Sequence, residues 1–222
     1  MTAPLAVVLA AGVGRRMGGP KALLMVDGKP LVESHVQRLT EAGCRPIVVV
    51  VRAAIATQVR YLLHETPEAQ LCVADTTSMA ASLAAALGSV SARFSRAVIV
   101  SPIDMLPVRP STLEALLEAV MAPQVHAATP RYQALGGHPI VARESLVQAF
   151  RDGYAGTLRD LLRGAEAHRR RLDLDDPAVV GDLDTPSDLA ACRPGLVPEF
   201  AAPDPANRGV ETARTASPWL NA

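Results

Sequence analysis

The stretch LAVVLAAGVGRRMGGPKALL, residues 5–24, decides the fold. It opens with an apolar run over residues 5–10, whose length is typical of a buried β-strand. The run leads into a loop with four glycines and three cations, namely Gly12, Gly14, Gly18, Gly19, Arg15, Arg16 and Lys21. Glycines let backbone amides approach a ligand closely, and nearby cations offset phosphate charge. The stretch therefore predicts either a polyphosphate cradle or an ordinary glycine-rich connection between a strand and a helix.

Composition limits the class of protein. The 222 residues are 49% hydrophobic but only 3% aromatic, which is typical of a globular core of Ala, Val and Leu in which helices pack on a parallel sheet. Basic and acidic residues number 22 each, so the net charge is zero. This balance gives no electrostatic footprint for nucleic acid or an anionic membrane. We therefore expect neither as a partner, and any anion site has to be local.

Cysteine usage and the N-terminus favour a cytoplasmic protein. Cys44, Cys72 and Cys192 are odd in number and widely spaced, which is typical of thiols in a reducing compartment and not of disulfides or a zinc site. No basic segment precedes the first apolar run, and that run is too short for a signal peptide or a membrane span. We expect a cytoplasmic enzyme or binding protein.

The order of the hydrophobic patterns predicts an α/β fold. Apolar runs predict strands at residues 5–10, 47–51, 71–74, 97–101, 125–129, 136–141 and 169–174. Helical spacing predicts helices at residues 31–42, 53–63, 78–90, 111–121, 144–150 and 158–165, with a short one near 185. Strands that alternate with helices favour a mostly parallel sheet with right-handed crossovers. We expect a Rossmann-like three-layer α/β/α sandwich.

A predicted helix cap and a histidine on a helix face can be interpreted from local spacing alone. Ser111 and Glu114 have the spacing of a capping box, which predicts that Ser111 caps the helix it precedes. His35 lies on the apolar face of helix 31–42, so we interpret it as a partly buried structural side chain and not as a catalytic one.

Composition changes at residue 194. Residues 1–193 are predicted as one domain, and residues 194–222 are rich in Pro and Ala without periodicity. Such a segment predicts a flexible tail, or else an arm across the surface or a partner subunit. Trp219 and Leu220 near its end keep the second alternative open.

Three polar groups follow predicted strands, and ligands bind at the carboxyl ends of the strands in such sheets. Asp104 suits a metal held against phosphate, or a turn after Pro102. Asp182 and Asp184 suit a cation, because Mg²⁺ prefers one or two carboxylates plus phosphate oxygens, or else the first turn of a helix. His138 lies in a Gly-Gly-His-Pro loop, where a lone histidine is either structural or close to a ligand.

Five segments together resemble one family. Residues 9–18 (LAAGVGRRMG), Pro20-Lys21 and residues 27–31 (DGKPL) are similar to the LAAGxSxRMGxPK and GxPL signature of the MobA-like NTP transferases, nucleotidyltransferases related to the molybdenum cofactor enzymes. The later motifs resemble those of the family in its order, namely residues 78–83 (SMAASL), 102–104 (PID), 137–139 (GHP) and 182–189 (DLDTPSDL). The resemblance covers about residues 5–192.

This resemblance implies a reaction and a site. The fold would be of the nucleotide-diphospho-sugar transferase type, and the reaction would move a nucleoside monophosphate from an NTP to a phosphorylated acceptor with release of pyrophosphate. Arg16, Lys21 and Asp104 would be catalytic. The nucleotide would be bound by Leu9, Ala10, Ala11, Gly12, Gly14, Arg15, Lys21 and Ser82. Mg²⁺ or Mn²⁺ would be held by Asp104 with Asp182 or Asp184, and the acceptor would lie near Gly137 and His138.

The same motifs point to a subfamily. LAAG, GHP and DLDTP resemble the molybdenum cofactor cytidylyltransferases more than the guanylyltransferases, so CTP and molybdopterin are the expected substrates. A guanylyltransferase, or an enzyme acting on sugar or alcohol phosphates, is the alternative within the fold. The expected partners include a molybdenum enzyme or its chaperone, and we expect a monomer or homodimer. Leu106 replaces a family proline, Ser78 a glycine, and Gly14 a common serine, which affects the substrate assignment and not the fold.

Two other functional classes compete with this interpretation. Residues 12–18 imitate a dinucleotide fingerprint, and Arg52 suits a 2′-phosphate, as in an NADP-dependent oxidoreductase. Against this class, Pro20 interrupts the helix that such a loop needs. The second class is a non-catalytic nucleotide-binding regulator, but such a protein need not retain Lys21, Asp104 and Asp184 together.

Overall fold

The predicted first strand forms the centre of the sheet. The computed structural model describes residues 3–90 and 97–202. Strand β1, Leu5–Leu9, is buried along its whole length, because it pairs in parallel with a strand on each side, Ile47–Val51 and Ala97–Pro102. A continuous apolar run of this kind is what a strand covered on both faces requires.

The main sheet is mixed and mostly parallel. Its strands are β1, β4 (Ile47–Val51), β5 (Ala69–Val73), β6 (Ala97–Pro102), β7 (Ala127–Tyr132), β8 (Leu135–Gly136), β9 (Ile140–Arg143) and β10 (Arg169–Asp173), and a separate hairpin contains β2 (Met25–Val26) and β3 (Lys29–Pro30). The order across the sheet is β10-β7-β9-β6-β1-β4-β5, with β8 paired to β7. Strand β9 runs antiparallel to both neighbours. The chain order reverses at β1, which is where sheets of this kind bind ligands.

Helices cover both faces and confirm the three-layer α/β fold. They are α1 (Leu31–Glu41), α2 (Ala53–Leu62), α3 (Met79–Ser89), α4 (Pro110–Met121), α5 (Glu144–Arg151), α6 (Leu158–Gly164) and α7 (Pro186–Cys192). Ala6 and Val8 of β1 share one apolar cluster with α1, α2 and α4, while Leu5, Val7 and Leu9 share the other with α3, α5 and α6. Successive residues of a strand point to opposite faces of the sheet, so the side chains of β1 contribute to both clusters.

Short elements and helix caps differ from the prediction. The β2–β3 hairpin turns through Asp27 and Gly28, both with positive φ, and strands of two residues carry too little periodicity to be predicted. The prediction that Ser111 caps this helix is wrong, because α4 begins earlier, at Pro110, with Arg109 as its N-cap.

A buried carboxylate from a distant segment caps α4 in place of Ser111. Asp176 is 2% exposed and its Oδ2 accepts hydrogen bonds from the Arg109 amide at 2.8 Å and the Thr112 hydroxyl at 2.7 Å. Its Oδ1 accepts from the Ala178 amide at 3.1 Å. Asp176 therefore ties the start of α4 to the chain that leads into Asp182 and Asp184.

Up to residue 202, the segment after α7 forms an arm on the surface, which is the second of the two predicted alternatives. Phe200 forms an antiparallel bridge with Leu24, and the Ala201 amide donates to the Leu23 carbonyl at 2.8 Å. Residues 194–202 therefore lie as an arm on the domain, because Leu196 and Phe200 supply apolar contacts that composition alone did not reveal. Trp219 and Leu220 lie outside the described residues, and the boundary after residue 193 stays a prediction.

Within residues 3–90 and 97–202, no helix is long and apolar enough to cross a membrane.

We predict that Asp176→Ala lowers the free energy of unfolding by about 2 to 4 kcal/mol, because it leaves buried donors without an acceptor. Urea unfolding of the variant and the wild type measures the difference. Asp175→Asn, at an exposed neighbouring position, is the control and should change the value by less than about 0.5 kcal/mol. Equal stability of Asp176→Ala and wild type would contradict the capping role.

Candidate functional site

A cleft of about 340 Å³ opens where β1 and β6 end. It is lined by the glycine loop after β1, the residues that lead into α3, the end of β6 and one side chain before α7, namely Leu9, Ala11, Gly12, Val13, Gly14, Arg15, Arg16, Lys21, Thr76, Thr77, Ser78, Met79, Ser82, Pro102, Ile103, Asp104 and Asp184. The structure therefore brings together most of the residues predicted to bind the nucleotide. Ala10 does not line the cleft, because it points into the core and is 1% exposed.

The glycine loop is folded around the carbonyl of Gly14. The amides of Met17, Gly18 and Gly19 donate to this carbonyl at 2.9, 3.1 and 3.2 Å. Gly14 has φ of +63°, and a Cβ at this position would lie 1.8 Å from the Gly19 carbonyl oxygen. The loop geometry therefore requires glycine at position 14, where the family commonly has serine.

Three consecutive amides of the loop are available to a ligand. Among the described residues, the amides of Gly12, Val13 and Gly14 donate to no hydrogen bond, although all three residues line the cleft. Successive backbone amides around a residue with positive φ form a concave site for anions. This part of the site favours the predicted phosphate cradle over an ordinary connection.

Two cations of the loop meet one carboxylate in the cleft. The Lys21 side chain is 12% exposed and its Nζ lies 2.6 Å from Asp184 Oδ1 and 3.8 Å from Asp104 Oδ2. The Arg16 guanidinium donates to Asp184 Oδ2 at 2.8 Å. The hydrogen bond from Lys21, with the charges of Lys21 and Arg16, lowers the pKa of Asp184 below its usual range. Asp184 is therefore ionised at neutral pH, and its negative charge offsets part of the positive charge of Lys21 and Arg16.

The backbone holds the two acidic segments together. The Leu183 amide donates to the Asp104 carbonyl at 2.6 Å, and Met105 pairs with Asp182 in an antiparallel bridge. Asp184 lines the cleft, where Lys21 and Arg16 contact its carboxylate, whereas Asp182 lies in the bridge and is not among the lining residues. Desolvation and the nearby charges of Asp104 and Asp184 raise the pKa of Asp182.

The donor set of the cleft fits a hard divalent cation. Asp104 and Asp184 supply carboxylate oxygens on either side of Lys21, and Mg²⁺ or Mn²⁺ suits one or two carboxylates completed by substrate phosphate and water. No group of three His, Cys, Asp or Glu side chains within the described ranges could hold a metal by itself. Asp104 and Asp184 could therefore hold a divalent cation whose remaining ligands come from a phosphate group and water.

The start of α3 forms the wall opposite the cations. Ser78 caps the helix by accepting from the Ala81 amide at 3.1 Å. The Ser82 hydroxyl is buried and bonded to Thr76 Oγ1 at 2.5 Å and to the Ser78 carbonyl at 3.1 Å. Ser82 therefore lines the cleft as predicted, but its hydroxyl is used within the wall, and Thr76 and Thr77 provide further polar groups.

The sequence analysis did not assign several of the lining residues to the site, namely Thr76, Thr77, Met79, Pro102 and Ile103. Thr76 and Thr77 follow β5 on the same edge of the sheet as the glycine loop, and their position after a predicted strand is the signal that could have identified them.

The predicted acceptor residues lie beside the cleft and not in its lining. His138 shares a small cavity with His35 and Ser101, and its amide donates to the Val179 carbonyl at 2.9 Å. Desolvation lowers the pKa of His138, while the charge of Asp104 opposes this effect. A Cβ on Gly137 would lie 1.6 Å from the Val179 carbonyl oxygen, so that glycine is explained by close backbone packing.

His35 is more deeply buried than predicted, at 4% exposure. Its Nε2 contacts the Met105 carbonyl oxygen at 2.8 Å and its Nδ1 the Ser101 hydroxyl at 3.2 Å. Burial lowers its pKa, so the ring is neutral and supports the segment that carries Asp104. This confirms the structural interpretation of His35.

The glycine loop does not have the geometry that a dinucleotide-binding site requires. The glycine loop leads into a 3₁₀ turn at Lys21–Leu23 and not into an α-helix, whose N-terminus such a site requires. Arg52 contacts Asp75 at 3.5 Å and does not line the cleft.

We predict that Gly14→Ala disrupts the loop, because its Cβ meets the Gly19 carbonyl. Hydrogen exchange should show loss of protection at the amides of Met17, Gly18 and Gly19. Gly28→Ala is the control, since Gly28 also has positive φ but its Cβ would have open space around it; its cost should be limited to about 1 to 2 kcal/mol from the backbone conformation. Unchanged loop protection in Gly14→Ala would contradict the packing described.

We predict that Asp184 contributes to the acid dependence of stability. A carboxylate whose pKa is lowered by folding stabilises the native state above its usual pKa near 3.8 and loses this contribution as the pH falls through the lowered value. Asp184→Asn should therefore have a flatter melting-temperature profile below pH 4 than the wild type, while Asp175→Asn should follow the wild type. Identical profiles for wild type and Asp184→Asn would count against the ion pairs.

Two known proteins with similar sequences match the chain over short stretches. The chain is 48% identical over 48 residues to nicotine blue oxidoreductase of Paenarthrobacter nicotinovorans, which is 21% of this chain and 24% of that protein. It is 47% identical over 53 residues to a probable molybdenum cofactor guanylyltransferase of Opitutus terrae, which is 24% of this chain and 26% of that protein. The chain therefore spans only about a quarter of the length of these relatives.

Solved structures and a family model match far more of the chain. The fold is similar to that of Rv0371c from Mycobacterium tuberculosis, with a TM-score of 0.72 and 25% identity over 86% of this chain and 98% of that one. A manganese complex of Rv0371c gives a TM-score of 0.69 at 24% identity over 86% and 97% of the two chains. The model of the MobA-like NTP transferase domain matches residues 6–172, and the chain belongs to this family of nucleotidyltransferases.

Proposed function

We propose that this chain transfers a nucleoside monophosphate from an NTP, with CTP favoured, to a phosphorylated acceptor, with molybdopterin favoured. The observation that carries the proposal is that amides, cations and carboxylates line the same cleft. The unbonded amides of Gly12 to Gly14 face the same space as the cations Arg16 and Lys21 and the carboxylates of Asp104 and Asp184. Amides and cations suit a triphosphate, and carboxylates suit the divalent cation that accompanies it.

The chemistry requires positioning and charge stabilisation. An acceptor oxygen forms a bond to the α-phosphorus, and the bond from that phosphorus to the bridging oxygen of the β-phosphate breaks, so that pyrophosphate leaves with the electron pair. The loop amides would hold the phosphates in line for this attack, and Arg16 and Lys21 would offset the charge that builds on the leaving group. Mg²⁺ or Mn²⁺, held by Asp104 and Asp184, would supply Lewis-acid stabilisation of phosphate oxygens.

Nucleotide binding would exchange the partners of the loop cations. Asp184 contacts both Arg16 and Lys21, in positions that phosphate oxygens would take. A triphosphate that neutralised these cations would free the Asp184 carboxylate to bind the metal. Binding of the nucleotide and binding of the metal are therefore expected to favour each other.

The nucleoside and the acceptor would lie on opposite sides of the phosphates. The wall formed by Thr76, Thr77 and Ser82 is the proposed nucleoside side, and the segment with Gly137 and His138, beyond Asp104, is the proposed acceptor side. CTP and molybdopterin rest on the resemblance of LAAG, GHP and DLDTP to the cytidylyltransferases. The proposal includes a monomer or homodimer and delivery of the product to a molybdenum enzyme or its chaperone.

A pyrophosphate-release assay tests the reaction and the substrates together. CTP, GTP, ATP and UTP are each supplied with Mg²⁺ or Mn²⁺, with and without molybdopterin. Release from CTP that depends on molybdopterin supports the full proposal. A preference for GTP would support the nucleotidyl transfer reaction but contradict the assignment as a cytidylyltransferase. Pyrophosphate release only with sugar or alcohol phosphates would contradict molybdopterin as the acceptor. Binding of NTP without turnover on any acceptor would favour a non-catalytic nucleotide-binding regulator.

We predict that Asp104→Asn lowers metal-dependent turnover by at least about 100-fold, the range seen when one stabilising group of a transition state is removed. The melting temperature should be close to that of the wild type, because no hydrogen bond within the described residues depends on the Asp104 side chain. Asp175→Asn, remote from the cleft, is the matched control and should retain full activity. Unchanged turnover in Asp104→Asn would exclude Asp104 as a metal ligand.

A further inference from the structure

The C-terminal arm, residues 194–202, lies against the chain on both sides of Lys21. On the C-terminal side it pairs with the residues that follow the 3₁₀ turn: the Met25 amide donates to the Glu199 carbonyl at 2.7 Å, and the Ala201 amide to the Leu23 carbonyl at 2.8 Å. This pairing holds the backbone two residues beyond Lys21.

On the N-terminal side of Lys21, the Phe200 ring packs on the glycine loop. A Cβ placed on Gly19 would lie 2.8 Å from Phe200 Cζ and 2.9 Å from its Cε1, so the ring fills the space beside that backbone. The Gly19 amide in turn donates to the Gly14 carbonyl at 3.2 Å. A chain of direct contacts thus runs from Phe200 through Gly19 to the turn that orients the free amides.

A buried side chain anchors the arm to the rest of the domain. Gln58, on α2, is 8% exposed, and its Nε2 donates to the carbonyls of Ala201 at 2.6 Å and Ala202 at 2.8 Å. Both hydrogen bonds from this buried amide nitrogen therefore hold the arm against α2. Neither Gln58 nor any residue of the arm lines the cleft, so the arm can affect a ligand only through the loop.

We propose that Phe200 is a positioning residue of the phosphate loop and that the arm, clamped by Gln58, holds the loop in its binding geometry. The inference rests on the proposed function for its ligand, an NTP, but its effect on the loop does not depend on catalysis. Because the arm contacts backbone on either side of Lys21, loosening it changes both the glycine turn and the position of the lysine. The family match at residues 6–172 ends before the arm begins, so this support is a feature of the chain beyond the matched domain.

The test compares four variants in the full-length chain. Phe200→Ala removes the ring, Phe200→Leu restores part of its volume, and Gln58→Met removes the amide donors at constant length. Val197→Ala is the matched control, since Val197 belongs to the same arm and is 74% exposed. Hydrogen exchange at residues 14–24, CTP binding by calorimetry in the presence of Mg²⁺, and steady-state kinetics are measured for each.

We expect faster exchange at the loop amides in Phe200→Ala and Gln58→Met, and a rise in the dissociation constant for CTP of about tenfold, which corresponds to about 1.4 kcal/mol. KM should rise with it, and kcat should fall by a smaller factor, because the loop amides hold the bound phosphates while Lys21 also offsets the charge on the leaving group. Phe200→Leu should recover most of the affinity, and Val197→Ala should match the wild type.

Two results would overturn the inference. One is a lower melting temperature of Phe200→Ala with unchanged loop exchange and unchanged CTP affinity, since the arm would then only stabilise the fold. The other is an effect of Gln58→Met or Phe200→Ala on kcat alone. If the wild type binds no NTP, the proposed function fails, and the exchange data still decide whether the arm orders the loop.

Discussion

The parallel pairing of β1 with β6 is the interaction on which the site depends. The two strands are in register at Leu9 and Pro102, and the Ile103 amide continues the ladder by donating to the Leu9 carbonyl at 3.2 Å. Gly12 follows three residues after Leu9, and Asp104 two residues after Pro102. A shift of this register by one residue would turn the side chains of β6 to the other face of the sheet and separate the acid from the cations.

Charge pairing explains how a chain with no net charge concentrates cations at one cleft. The cations of the loop lie beside unbonded amides, and the Asp184 carboxylate is paired with both Arg16 and Lys21. This arrangement avoids the cost of a desolvated and unpaired lysine. Under the proposed function, a bound phosphate would replace the Asp184 carboxylate at these cations, so that binding of the phosphate and binding of the divalent cation would be coupled.

Support for the loop comes from distant parts of the chain. Asp176 caps α4 and restrains the approach to Asp184, His35 holds the segment after β6, and Phe200 packs beneath Gly19. Each contact joins residues that are far apart in sequence. A rule based on local spacing therefore could not predict them. For α4 that rule predicted Ser111 as the cap, whereas Ser111 lies inside the helix and the distant Asp176 carboxylate bonds to its start.

Local patterns in the sequence identify the class of fold, the glycine loop and the acidic positions, because buried strands, helical faces and glycine-rich turns recur at fixed spacings. Such patterns do not identify which of the two nearby aspartates lines the cleft: Asp184 contacts Lys21 and Arg16 there, whereas Asp182 lies in the bridge with Met105. The tertiary structure also placed residues 194–202 on the domain. The physical reason is the same in both cases: burial and backbone pairing depend on partners that a linear pattern does not identify.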